Sequence, residues 1–278
     1  MSNLQKLVDQ FLALEQWQNT PAAVESDLVQ AYRQKGLDRH FQDALHLAKL
    51  TLERQPLRNS DYYMRSGILL WEEARYNSLR HPEDEQYFIG LSDNADLIWL
   101  TQKLRSLCLH TAYRTRFKSA RSLSLRREVE DILESYTFLE NMAVSTWYYC
   151  LKMLEIPDAA EYFSRFKQGV LTHGLSFHRD ELRDLHLFAI NYCIRRVNEG
   201  QTGFFHDIMD FYKDGLAKGH LLENGILSHF TYYNIVAAGL QTREYEWVEA
   251  FIPGYRNALE RSYRDSAYSF NLARLKFA

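Results

Sequence analysis

Glycine and proline are scarce in this chain, 12 and 5 among 278 residues. An all-β protein needs turn residues every ten positions or so, and there is too little punctuation here to supply them. Long apolar runs are missing as well. No stretch of 18 apolar residues exists, so no bilayer-spanning helix and no membrane partner are expected. Charge of one sign is missing too. Basic and acidic residues number 33 and 36, for a formal net charge of −3. The chain as a whole is therefore no electrostatic ligand for nucleic acid or a membrane surface. Cysteine is limited to Cys108, Cys150 and Cys193. They form no Cys-x-x-Cys pair, and an odd count argues against a secreted disulfide framework. Met1 to Gln10 carries Lys6 and Asp9 and lacks a signal-peptide core. A reducing cytoplasm is the expected setting.

Catalytic motifs are absent in the same way. No two glycines are separated by a single residue, and no Gly-Lys-Ser/Thr occurs. That removes the dinucleotide fingerprint, the kinase glycine loop and the phosphate loop. There is no His-Glu-x-x-His zinc helix, no Glu-x-x-His pair of the di-iron bundles and no Gly-x-Ser-x-Gly elbow. The expectation is a protein without catalysis, cofactor or metal.

What is present is helical periodicity almost throughout, in a chain that is 46% hydrophobic and 14% aromatic. Between 179 and 198, Leu182, Leu185, Phe188, Ala189, Tyr192 and Val197 step by three and four along one side. Phe204, Phe205, Ile208, Met209, Tyr212 and Leu216 repeat the pattern. Between them lies Asn198-Glu199-Gly200-Gln201-Thr202. Gly200 can take the left-handed conformation that ends a helix, and Thr202 is placed to cap the next. Thr20-Pro21, Gln55-Pro56, His81-Pro82 and Ile156-Pro157 break the pattern elsewhere, and Ser60-Asp61, Ser92-Asp93 and Ser176 read as N-caps. The fold expected is all-α, with helices over 2–18, 23–35, 37–54, 61–80, 93–116, 124–154, 157–172, 179–198, 203–217, 224–240, 243–261 and 266–278.

The chain also repeats itself. Laid without a gap from Asn191 onto Asn234, an offset of 43 residues, Phe204 falls on Trp247, Ile208 on Phe251, Tyr212 on Tyr255 and Leu216 on Leu259. Cys150 and Cys193 share that offset, and a third copy runs from Tyr149-Cys150 through Tyr162 and Phe166. A fourth starts at Asn271, 37 residues after Asn234. One hairpin cannot bury its own apolar faces, whereas stacked hairpins bury each other's, so rings and aliphatics recur at the same positions.

These residues resemble the tetratricopeptide repeat. Asn271-Leu272-Ala273-Arg274-Leu275-Lys276-Phe277-Ala278 looks like the first helix of such a repeat. Asn234 to Leu240, followed by Arg243-Glu244-Tyr245-Glu246-Trp247-Val248, looks like a first helix, its turn and the start of its partner. The likeness covers residues 185–278 and weakens before them. The family's period of about 34 residues is exceeded here, and Arg195 and Arg196 stand where it favours small residues. The resemblance implies a right-handed α-solenoid whose first helices line a concave face, and a protein or peptide as partner. Residues 141–278 form the repeat region. Residues 1–140 form an N-terminal helical region, a separate bundle or part of the same stack. The segment 268–278, rich in Tyr, Phe, Leu and Ala, lacks the polar outer face of a cap and reads as a chain that continues. Its unpaired helix would also offer a face for self-association.

Three groups carry the functional expectations. The first is Asn191, Asn234 and Asn271. A side-chain amide offers donors and an acceptor to an extended peptide, or ties off backbone groups between hairpins. With Tyr192, Arg195 and Tyr233 these asparagines are the expected peptide-binding residues. The second is a block from Leu97 to Arg127 with no acidic residue and eight basic ones, interleaved with Tyr113 and Phe117. Arg114, Arg116, Lys118 and Arg121 at its centre are the alternative site, for nucleic acid or another anion. Against this stands a solvated loop whose arginines pair with Glu128, Glu130, Asp131 and Glu134. The third is His173, His178 and His186, near Asp180, Glu181 and Asp184. An unrecognised helical active site would draw on His178 and His186, but eight residues is about two turns, too far for one metal. Trp17, Trp71, Trp99, Trp147 and Trp247 are expected in packing.

Overall fold

The computed structural model describes residues 21–78, 80–81, 85–118, 121, 123–135 and 137–278. It is all-α. The described residues form twelve α-helices and no strand, with two isolated bridges, Glu223–Ile226 and Leu227–Leu259. The helix expected over 2–18, and Trp17 with it, lies outside the described residues. The chain divides into two compact units, Met1–Trp147 and Tyr148–Ala278.

The first unit holds α1 (Pro21–Gln34), α2 (Asp38–Arg54), α3 (Ser60–Asn77), α4 (Gln86–Phe117) and α5 (Arg126–Ser135). Gly36, at φ +66°, turns α1 back onto α2, since its missing Cβ removes the penalty of left-handed backbone. Both helices then close on α3 around Val29, Phe41, Leu45, Leu52, Leu69 and Tyr76, with Phe41 and Tyr76 stacked at 4.3 Å. The buried Glu72 carboxylate is balanced by Arg33, whose Nε donates to it at 2.5 Å. Between α3 and α4, Asn94 Nδ2 donates to the Tyr63 carbonyl at 2.5 Å. A Cβ at Gly67 would stand 2.9 Å from that same nitrogen, so this glycine is what admits the amide.

The single helix expected over 124–154 is two. After α5, Thr137–Glu140 forms a 3-10 turn, and α6 (Met142–Glu155) starts afresh. The cause is Asn141. Its Oδ1 accepts from the Ala143 and Val144 amides at 3.1 and 3.2 Å, while its Nδ2 donates to the Tyr63 hydroxyl at 2.6 Å. An N-cap that also meets a tertiary partner overrides a continuous periodic pattern. Two tryptophans expected in packing stand on the surface: Trp71 and Trp99 are exposed, whereas Trp147 is fully buried.

In the second unit follow α7 (Ala160–His173), α8 (Arg179–Asn198), α9 (Phe204–Ala217), α10 (His229–Gln241), α11 (Tyr245–Gly254) and α12 (Arg264–Lys276). From α7 onward each helix packs on its neighbour in sequence, and α10 packs on α12 as well. The α8–α9 turn has Gly200 at φ +93°, and the Gln201 amide donates to the Arg196 carbonyl at 3.0 Å, closing the helix end. Thr202 does not cap α9, whose N-cap position is Gly203, without a side-chain hydrogen bond. Helix α10 begins five residues later than expected, after the Ser228 cap, because Asn224 and Gly225, at φ 51° and 79°, make a tight left-handed turn between the bridged Glu223 and Ile226, and Leu227 bridges to Leu259. The α10–α11 pair is close. A Cβ on Gly239 would meet Val248 Cγ2 at 2.4 Å.

Candidate binding surface

Helix α10 buries Tyr232, Ile235, Val236 and Gly239. The opposite side is aromatic, with Phe230 exposed and His229 and Tyr233 half-buried. Phe230 is 70% exposed. His229 lies against it at 4.0 Å between ring centroids and stacks on Tyr263 at 3.8 Å and 21°. Tyr233 meets His229 edge-on at 6.4 Å and Phe270 of α12 at 5.4 Å, and Phe270 is 54% exposed. The guanidinium of Arg274 lies 5.8 Å from the Phe270 centroid. Five rings thus form one continuous surface ridge across α10, α12 and the residue before α12. Ring-to-ring contacts of this kind fix the side chains in place before any partner arrives, which lowers the entropy lost on binding. His229 Nδ1 faces Glu260 Oε2 at 3.2 Å. A carboxylate accepts only, so Nδ1 carries the proton and the ring orientation is set.

The expected peptide-binding residues part company here. Asn191 and Asn234 are exposed, on α8 and α10, and Tyr233 is in the ridge. Asn234 also hydrogen-bonds the buried Tyr212 hydroxyl, which burial pushes up to about 12. Arg195 is half-buried, with its guanidinium 5.8 Å from the Tyr192 ring. Tyr192 and Asn271 are core residues. Tyr192 stacks on Phe163 at 4.9 Å and donates to the Pro157 carbonyl at 2.7 Å. Asn271 is fully buried, and its Nδ2 donates to the Ala267 carbonyl at 2.9 Å. This is a correction of register. Ala189, Tyr192, Cys193 and Arg196 of α8 and Tyr232, Ile235, Val236 and Gly239 of α10 are buried 43 residues apart. On α12 the buried pair is Ala267 and Asn271, 35 residues after Tyr232 and Val236. Asn271 therefore stands where α10 has Val236, not Asn234, and the shared residue type misled the alignment.

The histidines arrange themselves differently from the expected site. His178 is the N-cap of α8, its Nδ1 accepting from the Asp180 amide at 3.4 Å while Glu181 accepts from the His178 amide. His186 is fully buried. Its Nδ1 lies 2.8 Å from the Leu182 carbonyl and its Nε2 2.8 Å from Asp214 Oδ2. Both nitrogens thus face partners inside the protein, which fixes the ring between α8 and α9. Asp214 also receives Lys218 Nζ at 2.8 Å. Burial raises its carboxyl, but the bonds from His186 and Lys218 outweigh burial and hold it below the usual range. His220 completes the cluster, its ring 4.2 Å from that of His186. It is buried, and neither of its nitrogens has a hydrogen-bond partner among the described residues. Sequence reasoning missed both Asp214 and His220, which lie 28 and 34 residues beyond His186.

Within the basic block, Arg114 and Arg121 each engage a neighbour, and Arg116 and Lys118 are exposed at the end of α4. No group of three or more His, Cys, Asp or Glu among the described residues could hold a metal ion. No described helix is long and apolar enough to cross a membrane. No protein-family model, curated protein or solved structure matches the chain.

Proposed function

We propose that this chain binds a peptide segment of a protein partner, without catalysis, on the face of its first helices α8, α10 and α12, as a right-handed solenoid diverged from tetratricopeptide repeats. One observation carries the reading. Recurrence of residue type at buried positions needs only packing to explain it. Here recurrence extends to the exposed side. Leu187 and Asn191 on α8 correspond at the 43-residue offset to Phe230 and Asn234 on α10, and all four are exposed. An apolar side chain one turn ahead of an amide, presented twice, matches what an extended chain offers: a side chain to bury and backbone groups to bond. The ridge of rings beside the second copy adds a pre-ordered apolar surface.

The test is selection of peptides from a random 12-residue display library on the purified chain. Enriched peptides are then titrated against wild type, Phe230→Asp, and Asn191→Ala/Asn234→Ala. Phe230→Asp should melt as the wild type does, whereas Asn234→Ala also removes the bond to the buried Tyr212 hydroxyl and should melt somewhat lower, so circular dichroism confirms that each variant is folded at the titration temperature. Weakening of about tenfold or more in both variants is expected, since a hot-spot side chain is worth about 2 kcal/mol or more. Peptides that bind all three proteins equally, or a library without enrichment, would overturn the reading.

A further inference from the structure

Helix α4 ends on a surface that its own packing does not explain. Leu109, Tyr113 and Phe117 recur every four residues and so share one stripe, and all are exposed, the two rings by 55% and 56%. The rings lie 4.6 Å apart, tilted by 39°. The guanidinium of Arg116 is 5.2 Å from the Phe117 centroid, and Lys118, at φ 51°, closes the helix. Around them, from Leu97 to Arg127, no acidic residue occurs. On the last turn of α4 Arg114 engages a neighbour, while Arg116 and the closing Lys118 are exposed beside the rings. Cations in the last turn answer the helix dipole. The dipole gives no reason for two large rings to stand in water beside them.

We propose that the last three turns of α4 dock single-stranded nucleic acid, with Tyr113 and Phe117 stacking on bases and Arg116 and Lys118 contacting phosphates. Flat rings next to cations match the two surfaces of an unpaired strand, since every base has a face to stack and every phosphate a charge. A duplex hides its base faces and matches only the cations. A lipid surface matches less well. On the same stripe Gln102 and Ser106 precede Leu109, so the apolar face is three side chains long, too short for stable interfacial insertion. The site belongs to the first unit and does not depend on peptide binding by the second.

Fluorescence anisotropy of the full chain with a labelled 15-nucleotide oligouridylate, at 50 and 200 mM salt, tests this. Two or three phosphate contacts predict binding weakened about tenfold over that salt range. Tyr113→Leu/Phe117→Leu keeps apolar bulk but loses the stacking faces, and should weaken binding about tenfold or more with the salt dependence retained. Arg116→Gln/Lys118→Gln should flatten the salt dependence. Both pairs are exposed, so unchanged thermal melting confirms that the variants fold. The proposal fails if the leucine variant binds as wild type does, if a duplex of equal length binds as tightly, or if nothing binds at 50 mM. It also fails if phosphatidylserine vesicles adsorb the protein while the oligonucleotide does not.

Discussion

Acid should destabilise the second unit through His220. The imidazole is buried without a hydrogen-bond partner among the described residues. Burial first, then the neighbouring His186, with smaller contributions from Lys218 and Arg179, depresses it from 6.5 to about 3, with Asp214 opposing. The folded protein therefore keeps the ring neutral while an unfolded chain protonates it near the ordinary value. Between these two values the unfolded state binds more protons, so stability falls as pH falls; above the ordinary value the group contributes nothing. At its limit the gap amounts to about 5 kcal/mol, and between pH 7 and pH 5 to about 2 kcal/mol. Urea unfolding followed by far-ultraviolet circular dichroism at pH 7.5 and 5.0 measures this. His220→Leu removes the titration and two unsatisfied buried nitrogens together, so it should be no less stable than wild type at neutral pH. At pH 5.0 it should be about 2 kcal/mol more stable than wild type. Asp214, held low by His186 and Lys218, adds a loss only as pH falls through the carboxylate range, below this window. Equal acid sensitivity in wild type and His220→Leu would refute the assignment.

Two further outcomes follow from packing. Gly239→Ala would bring a methyl to within 2.4 Å of Val248 Cγ2, a branched side chain with little room to move. It should cost about 1–3 kcal/mol, and a double-mutant cycle with Val248→Ala should recover part of that; strict additivity would sink the contact. Cys108, Cys150 and Cys193 are all buried, and burial pushes the Cys193 thiol well above its ordinary value. None should react with a disulfide reagent at pH 8 until denaturant is added, and rapid labelling of the native protein would contradict the burial.

Much of the local structure is legible in the sequence, for reasons visible in particular residues. Spacings of three and four among Leu182, Leu185, Phe188, Ala189 and Tyr192 specify a helix with an apolar face, and these five residues are buried. Gly200 marks the end of that helix because a left-handed residue is needed there. The division between α5 and α6 was not legible, because Asn141 resembles any polar residue in a helix until Tyr63 is placed beside it.

The sequence by itself determined the all-α class and the buried face of helices such as α8, since these follow from backbone periodicity and turn chemistry acting over a few residues. The tertiary structure alone decided the rest. It put Asn271 into the core although the same residue type at Asn191 and Asn234 is exposed. It joined His186 to Asp214 and His220 across α8, α9 and the loop beyond, and His229 to Tyr263 across 34 residues. Neither juxtaposition leaves a periodic trace, because side chains distant in sequence meet only once the helices have packed.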